Sequence, residues 1–154
     1  MDFLNELTMT FSSLSENEGF ARSAVAGFCV ALNPTLDEIT DIKTAVSEAV
    51  TNCVVHAYPN KKHGKIEIWV GLTKNCVHIA VRDDGVGIEN FEQAREPFFS
   101  TKPNEERSGM GFTVMESFMD TLVLNRRKSG GVEVLMTKKI KGEKIALGGM
   151  NAVL

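Results

Sequence analysis

Glu48 and Asn52 stand four residues apart, Asp83-Asp84-Gly85-Val86-Gly87 follows a run of alternating apolar residues, and Arg107-Ser108-Gly109-Met110-Gly111-Phe112 leads into a helical pattern. On a helix the first pair shares one face. A carboxylate there can take a proton from an attacking hydroxyl, and a neutral amide oxygen suits one coordination position of Mg²⁺. The same spacing also describes an ordinary polar pair on a helix surface. Asp83 ends a strand of Val77, Ile79 and Val81, where its carboxylate can accept a hydrogen bond from an exocyclic amine such as that of adenine. Gly85 and Gly87 let a ligand approach the backbone closely, although a turn with capping aspartates has the same composition. Ser108, Gly109, Met110 and Gly111 precede a helix, so their amides and the helix dipole can hold a phosphate chain. Lys102 and Arg107 lie on the same stretch and can neutralise phosphate charge. Each pattern alone is weak. All of them, in this order within 154 residues, point toward an ATP-using site.

Several elements must position these groups. Leu7, Met9 and Phe11 alternate with threonines and predict an opening strand. Ser15 to Glu18 reads as a capping box opening a helix with Phe20, Ala21, Ala24, Val25, Phe28 and Leu32 on one side, which Asn33-Pro34 stops. A second box, Thr35 to Glu38, opens a helix that buries Ile39, Ile42, Val46, Ala49, Val50 and Cys53 and runs to about Ala57, where Tyr58-Pro59 closes it. Ile66, Ile68, Val70 and Leu72, then Val77, Ile79 and Val81, predict two antiparallel strands around Lys74-Asn75. From Asp83 to about Gly111 the periodicity breaks into a long loop. Phe112, Met115, Phe118 and Met119 restore helical spacing, and Leu122–Leu124 with Val132–Met136 form a closing hairpin around Lys128-Ser129-Gly130-Gly131. This order implies an α/β chain, an α+β two-layer sandwich, with one mixed and mostly antiparallel sheet covered on one face by helices. Residues 1–140 form the domain; 141–154 read as an exposed tail.

Composition narrows the function classes. With 43% hydrophobic residues, one core can form without disulfides or structural metal. A net charge of -3 supplies no basic field, which argues against nucleic acid as the main partner. The basic clusters Lys61-Lys62 and Arg126-Arg127-Lys128 read as solvated turns. Cys29, Cys53 and Cys76 lack any C-x-x-C spacing and suit a reducing cytoplasm. No apolar run approaches the roughly 20 residues that cross a bilayer, so a soluble cytoplasmic protein is expected.

Glu48 with Asn52, Asp83 to Gly87, Pro97-Phe98-Phe99-Ser100-Thr101-Lys102 and Ser108 to Phe112 resemble, in order, the four boxes of the gyrase, Hsp90, histidine-kinase and MutL superfamily. Val46-Ser47-Glu48-Ala49-Val50-Thr51-Asn52 and Arg107-Ser108-Gly109-Met110-Gly111-Phe112-Thr113 make the likeness most specific to the anti-sigma-F factors of endospore-forming bacteria, which are serine kinases. That resemblance implies a Bergerat ATP-binding fold, a homodimer, and a role in sporulation and transcription regulation. It also implies two partners: a sigma factor, and an anti-anti-sigma factor phosphorylated on serine. Carried over by position, Glu48 resembles the base, Asn52 the Mg²⁺ ligand and Asp83 the adenine acceptor, with Gly85 and Gly87 shaping that pocket. Ser108, Gly109, Met110 and Gly111 resemble the phosphate-binding lid, with Lys102 and Arg107 near the terminal phosphate. Arg22, on the polar side of the first helix, is the candidate partner contact. The superfamily often has Gly-Thr before its last strand; this chain has Gly131-Val132, so the hydroxyl that helps to hold adenine is missing. Two rival readings are a nucleotide-gated sigma-binding module with vestigial catalysis and a stand-alone histidine-kinase-like ATPase domain. Glu48 speaks against the first, since a module that only binds needs no base. His56, His63 and His78 do not suit a phosphoacceptor role, which speaks against a sensor histidine kinase.

Overall fold

Period-two alternation produces five strands: β1 (Asn5–Ser12), β2 (Lys65–Leu72), β3 (Cys76–Asp83), β4 (Thr121–Arg126) and β5 (Val132–Lys139). The computed structural model describes residues 1–59, 64–96 and 111–142. The strands form one sheet in the order β1-β2-β3-β5-β4, and every pairing is antiparallel. Register carries one row of apolar residues across it: Leu7 opposite Val70, Val70 opposite Ile79, Ile79 opposite Met136, Met136 opposite Leu122. The next inward row runs Met9, Ile68, Val81, Val134, Leu124. These rows face the helices α1 (Asn17–Cys29), α2 (Leu36–Asn52) and α4 (Gly111–Phe118) and share one core with Ala21, Val25, Ile42, Val46, Val50 and Met115. Each fully buried Ile, Val or Met there contributes about 1.5–3 kcal/mol. On the other face Arg82 of β3 bonds Glu67 of β2 at 2.8 Å and Glu133 of β5 at 2.7 Å, tying three strands together.

The helix starts divide. At α2 the predicted capping box forms: Glu38 N donates to Thr35 Oγ1 at 3.1 Å, and Thr35 N donates to Glu38 Oε1 at 2.9 Å. At α1 the predicted box does not form. Glu16 is the N-cap and makes no side-chain cap bond, because the chain enters through a turn in which Asn17 N and Glu18 N already reach the Leu14 and Ser15 carbonyls. Glu18 is turned toward Arg22 instead. The predicted stripe of α1 is also corrected at one place: Phe20 is 61% exposed, while Cys29 lies in the core.

Asn33 adopts φ 52° after a 3₁₀ turn at Val30–Leu32 and ends the first helical stretch where predicted. The second stretch reaches Ala57, but its last part, Cys53–Ala57, is a π-helical turn. The segment read as one long loop contains a short helix, α3 (Phe91–Ala94), capped by the Asn90 side chain accepting from Gln93 N at 2.9 Å.

Candidate functional site

Alternation along β3 continues past Val77, Ile79 and Val81 to Asp83, so a carboxylate stands at an inward position at the strand end, 7% exposed. It faces the π turn. Its Oδ1 accepts from Gly85 N at 2.9 Å and from Val132 N at 3.4 Å, and its Oδ2 accepts from the Cys53 thiol at 3.6 Å. Burial pushes Asp83 above its ordinary carboxylate value, with Asp84 adding to the rise, while the two amides and the thiol oppose it. The Cys53 thiol is pushed well up, first by burial and then by the Asp83 charge, so it stays a protonated donor. A carboxylate oxygen has room for two hydrogen bonds, which leaves Oδ2 with an acceptor position.

The loop after Asp83 is pressed between two walls. On one side Val86 N donates to the Ala57 carbonyl at 2.8 Å, and Gly85 lies so close to that carbonyl that a Cβ would collide with it. The Tyr58 hydroxyl accepts from Asp84 N at 2.8 Å and donates to the Lys65 carbonyl at 2.7 Å. On the other side is the β4–β5 hairpin tip. Arg127 Nη1 donates to the Asp83 carbonyl at 3.1 Å and meets Asp84 Oδ1 at 3.1 Å. Ser129 Oγ donates to Asp84 Oδ1 at 2.7 Å. Gly87, at φ 80°, packs against the Gly130 carbonyl, a conformation and a closeness that a side chain would disturb.

Glu48 and Asn52 are half-buried on successive turns of α2, beside buried Ala49 and Val50. Asn52 is the last α-helical residue before the π turn, and Gly111 begins α4 against its amide: a Cβ on Gly111 would lie 3.0 Å from Oδ1 and 3.1 Å from Nδ2. The structure therefore joins Asn52 to Gly111, and Asp83 to Gly85, with Cys53–Ala57 bridging the two groups. Arg22 stands on α1, bonded to Glu18 through contacts of 2.8 and 2.6 Å. Lys102, Arg107, Ser108, Gly109 and Met110 lie outside the described residues, as do residues 97–101 of the third box, Lys61-Lys62 and His63, and residues 143–154 of the tail. A cavity of about 950 Å³ sits elsewhere, at the start of α2, lined by Thr35, Glu38, Cys76, Asp120, Lys138 and Lys141. It holds none of the chemistry described above, since α2 separates its two ends by about 25 Å.

Residues 11–138 match the family described as histidine kinase-like ATPase domain. The anti-sigma F factor of Geobacillus sp. (strain WCH70) is 51% identical over 140 residues, covering 91% of this chain and 96% of that protein. The chain belongs to the anti-sigma F factor family, within the histidine kinase-like ATPases. A second member of that family, from Clostridium beijerinckii, is 52% identical over 135 residues, covering 88% of this chain and 94% of the other. Among solved structures, the RsbU and RsbW domains of a Mycobacterium tuberculosis protein superpose with a TM-score of 0.64 at 16% identity, over 92% of this chain and 35% of that one. The nucleotide-free catalytic domain of the histidine kinase ThkA gives 0.56 at 19% identity, over 89% of this chain and 99% of that one. At such identities these two likenesses concern the fold: an antiparallel five-stranded sheet with helices on one face.

Sequence reasoning missed five participants around Asp83 and its loop. Cys53 reads as core from its helical stripe, and only the π turn aims its thiol at a carboxylate. Val132 lacks a hydroxyl, yet its backbone amide donates. Tyr58 reads as a helix stop and proves to be a bridge. Arg126 and Arg127, read as solvated, bond to the Asp83 loop instead: Arg126 Nη1 donates to the Ile88 carbonyl at 2.8 Å and its guanidinium lies 4.9 Å over the Phe91 ring. A pair of adjacent arginines leading into the turn Lys128-Ser129-Gly130-Gly131 was the available signal.

Proposed function

We propose that this chain binds and sequesters a sporulation sigma factor in the cytoplasm and uses Mg-ATP to phosphorylate a serine of its anti-anti-sigma factor. The observation that carries the nucleotide part is the buried Asp83 carboxylate: two amides and a thiol orient it, and Oδ2 retains acceptor capacity for an adenine amine. Asn52, against the start of α4, would give one oxygen to Mg²⁺, with phosphates and water completing the shell. The ion would supply charge neutralisation at the phosphates. Glu48, one turn before Asn52, would take the proton of the attacking serine hydroxyl, and Lys102, Arg107 and the amides of 108–111 would hold the terminal phosphate. The anti-sigma role rests on family membership at about half identity over most of the chain. The same membership supports a homodimer. Arg22, on the face of α1 that it shares with Glu18, is the residue proposed to meet the protein partners.

Glu48→Gln tests the chemistry. The amide keeps shape and removes the proton acceptor, so ATP binding should persist while transfer of labelled γ-phosphate to the purified anti-anti-sigma factor falls about 10²- to 10⁴-fold. Transfer at the unchanged rate would remove Glu48 from its role. A wild-type chain that captures sigma factor with ATP yet labels no serine would instead be a binding module with vestigial catalysis.

A further inference from the structure

The backbone ladder stops where the candidate adenine loop begins. Pairing of β2 with β3 ends at Ile66 opposite Asp83, and pairing of β3 with β5 ends at Arg82 opposite Glu133. Beyond these pairs, the loop is flanked on the β5 side by the backbone of Gly130–Val132 and by a set of side chains from the β4–β5 hairpin tip. Arg127 Nη1 holds the Asp83 carbonyl and the Asp84 carboxylate, Ser129 Oγ holds that same Asp84 oxygen, and Arg126 holds the carbonyls of Ile88 at 2.8 Å and Glu89 at 3.5 Å. The tip is itself closed, with Arg127 N donating to the Gly131 carbonyl and Gly130 N to the Arg127 carbonyl, both at 2.9 Å. We propose that this hairpin tip is a clamp that keeps the Asp83–Glu89 segment in its ligand-receiving shape, with Arg127 as the main positioning residue and Arg126 and Ser129 supporting it.

Three features separate this from an ordinary surface ion pair. First, both arginines donate to backbone carbonyls, so the grip does not depend on a second long side chain finding its place; charge on the donor strengthens each bond. Second, Asp84 is used as a handle. Its carboxylate accepts from the hairpin and its amide donates to Tyr58, so that amide is not spent on the Asp83 carboxylate. Third, the opposite wall is the π turn, whose Ala57 carbonyl accepts from Val86 N and leaves no room for a Cβ at Gly85. A loop fixed from both sides presents Oδ2 of Asp83 in one orientation before any ligand arrives, which removes an ordering cost from binding.

The clamp's functional consequence rests on the reading that this loop receives the adenine end of ATP, and the test separates the two. In the full-length chain, Arg127→Met keeps the apolar stem and removes the donor, whereas Arg127→Lys keeps a cationic donor. Hydrogen exchange of the Asp84–Gly87 amides, without nucleotide, should speed up about ten-fold in Arg127→Met and recover part-way in Arg127→Lys. Affinities for adenosine, ADP and ATP, by calorimetric titration, should fall together in Arg127→Met, by a similar factor of about ten. Unchanged exchange overturns the clamp. A loss that grows with the number of phosphates overturns it as a device for the nucleoside end and makes Arg127 a phosphate contact. If the unmodified chain binds none of the three ligands, or Asp83→Asn binds all of them equally well, the adenine reading fails and the exchange rates alone decide the clamp.

Discussion

Asp83 carries conflicting demands, because a carboxylate held at 7% exposure to recognise a ligand costs stability while it waits. Its folded pKa lies above the ordinary 3.8, so the folded state takes up a proton more readily than the unfolded one. The stability this contributes is complete below about 3.8 and fades as pH rises through the folded value. Asp83→Asn should accordingly weaken ATP binding and yet raise the neutral-pH melting temperature of the nucleotide-free chain. Melting curves at neutral and acid pH check it, and the gain should vanish in acid. Cys53 modulates the same group. Asp84, Tyr58 and Arg127 also face this end of β3, but the thiol is the side-chain donor to Oδ2. Its hydrogen bond lowers the Asp83 pKa, so Cys53→Val should move the acid-side loss of ATP affinity to higher pH, while Cys53→Ser should not. Titrating ATP binding against pH reads this directly; identical profiles for both variants and the parent would refute it. The carboxylate itself was legible in the sequence as a strand end before two glycines. The thiol was not, since helical periodicity assigns Cys53 to the core and cannot register a change of helix type.

Among the elements, the two helix starts offer a controlled comparison. Thr35 caps α2 reciprocally with Glu38, and Thr35→Ala should cost about 1 kcal/mol in a denaturant titration. Ser15→Ala should change stability by less than about 0.5 kcal/mol, because no side-chain cap bond is made there. Both segments show the same pattern of hydroxyl and carboxylate, so pattern alone could not tell them apart. The difference lies in the turn at Leu14 and Ser15, whose carbonyls already occupy the first amides of α1. Where alternation or periodicity is long, as in β2, β3 and α2 up to Asn52, the sequence reading and the structure coincide. Where an element is short, as in α3, one Asn cap is the whole signal and a glycine- and proline-rich context hides it.

At the scale of the whole molecule, Glu38 links the start of α2 to the residues that follow β5. Besides capping, its carboxylate accepts from Lys141 N at 2.8 Å and Gly142 N at 3.1 Å. Burial opposes ionisation, but the amides of Thr35, Lys141 and Gly142 prevail and hold Glu38 below its ordinary 4.5. Its contribution is present above about 4.5 and lost as pH falls through the depressed value. Glu38→Gln should therefore flatten the acid limb of the urea-midpoint profile, and an unaltered limb would rule out this tie as its source. The sheet order has a further consequence, for biosynthesis. β1 is an edge strand whose neighbour is β2, with Asn5 opposite Leu72 and Ser12 opposite Lys65. At about 5–20 residues per second, the ribosome needs several seconds after making β1 to supply its pairing partner. During that interval α1 and α2 can form from local contacts and pack on each other, but the sheet that covers their apolar faces does not yet exist. The nascent chain thus passes through a stage with a helical hairpin and an unpaired strand, whose exposed apolar surface and open edge offer chaperones a grip and make a pause in translation there a risk for aggregation.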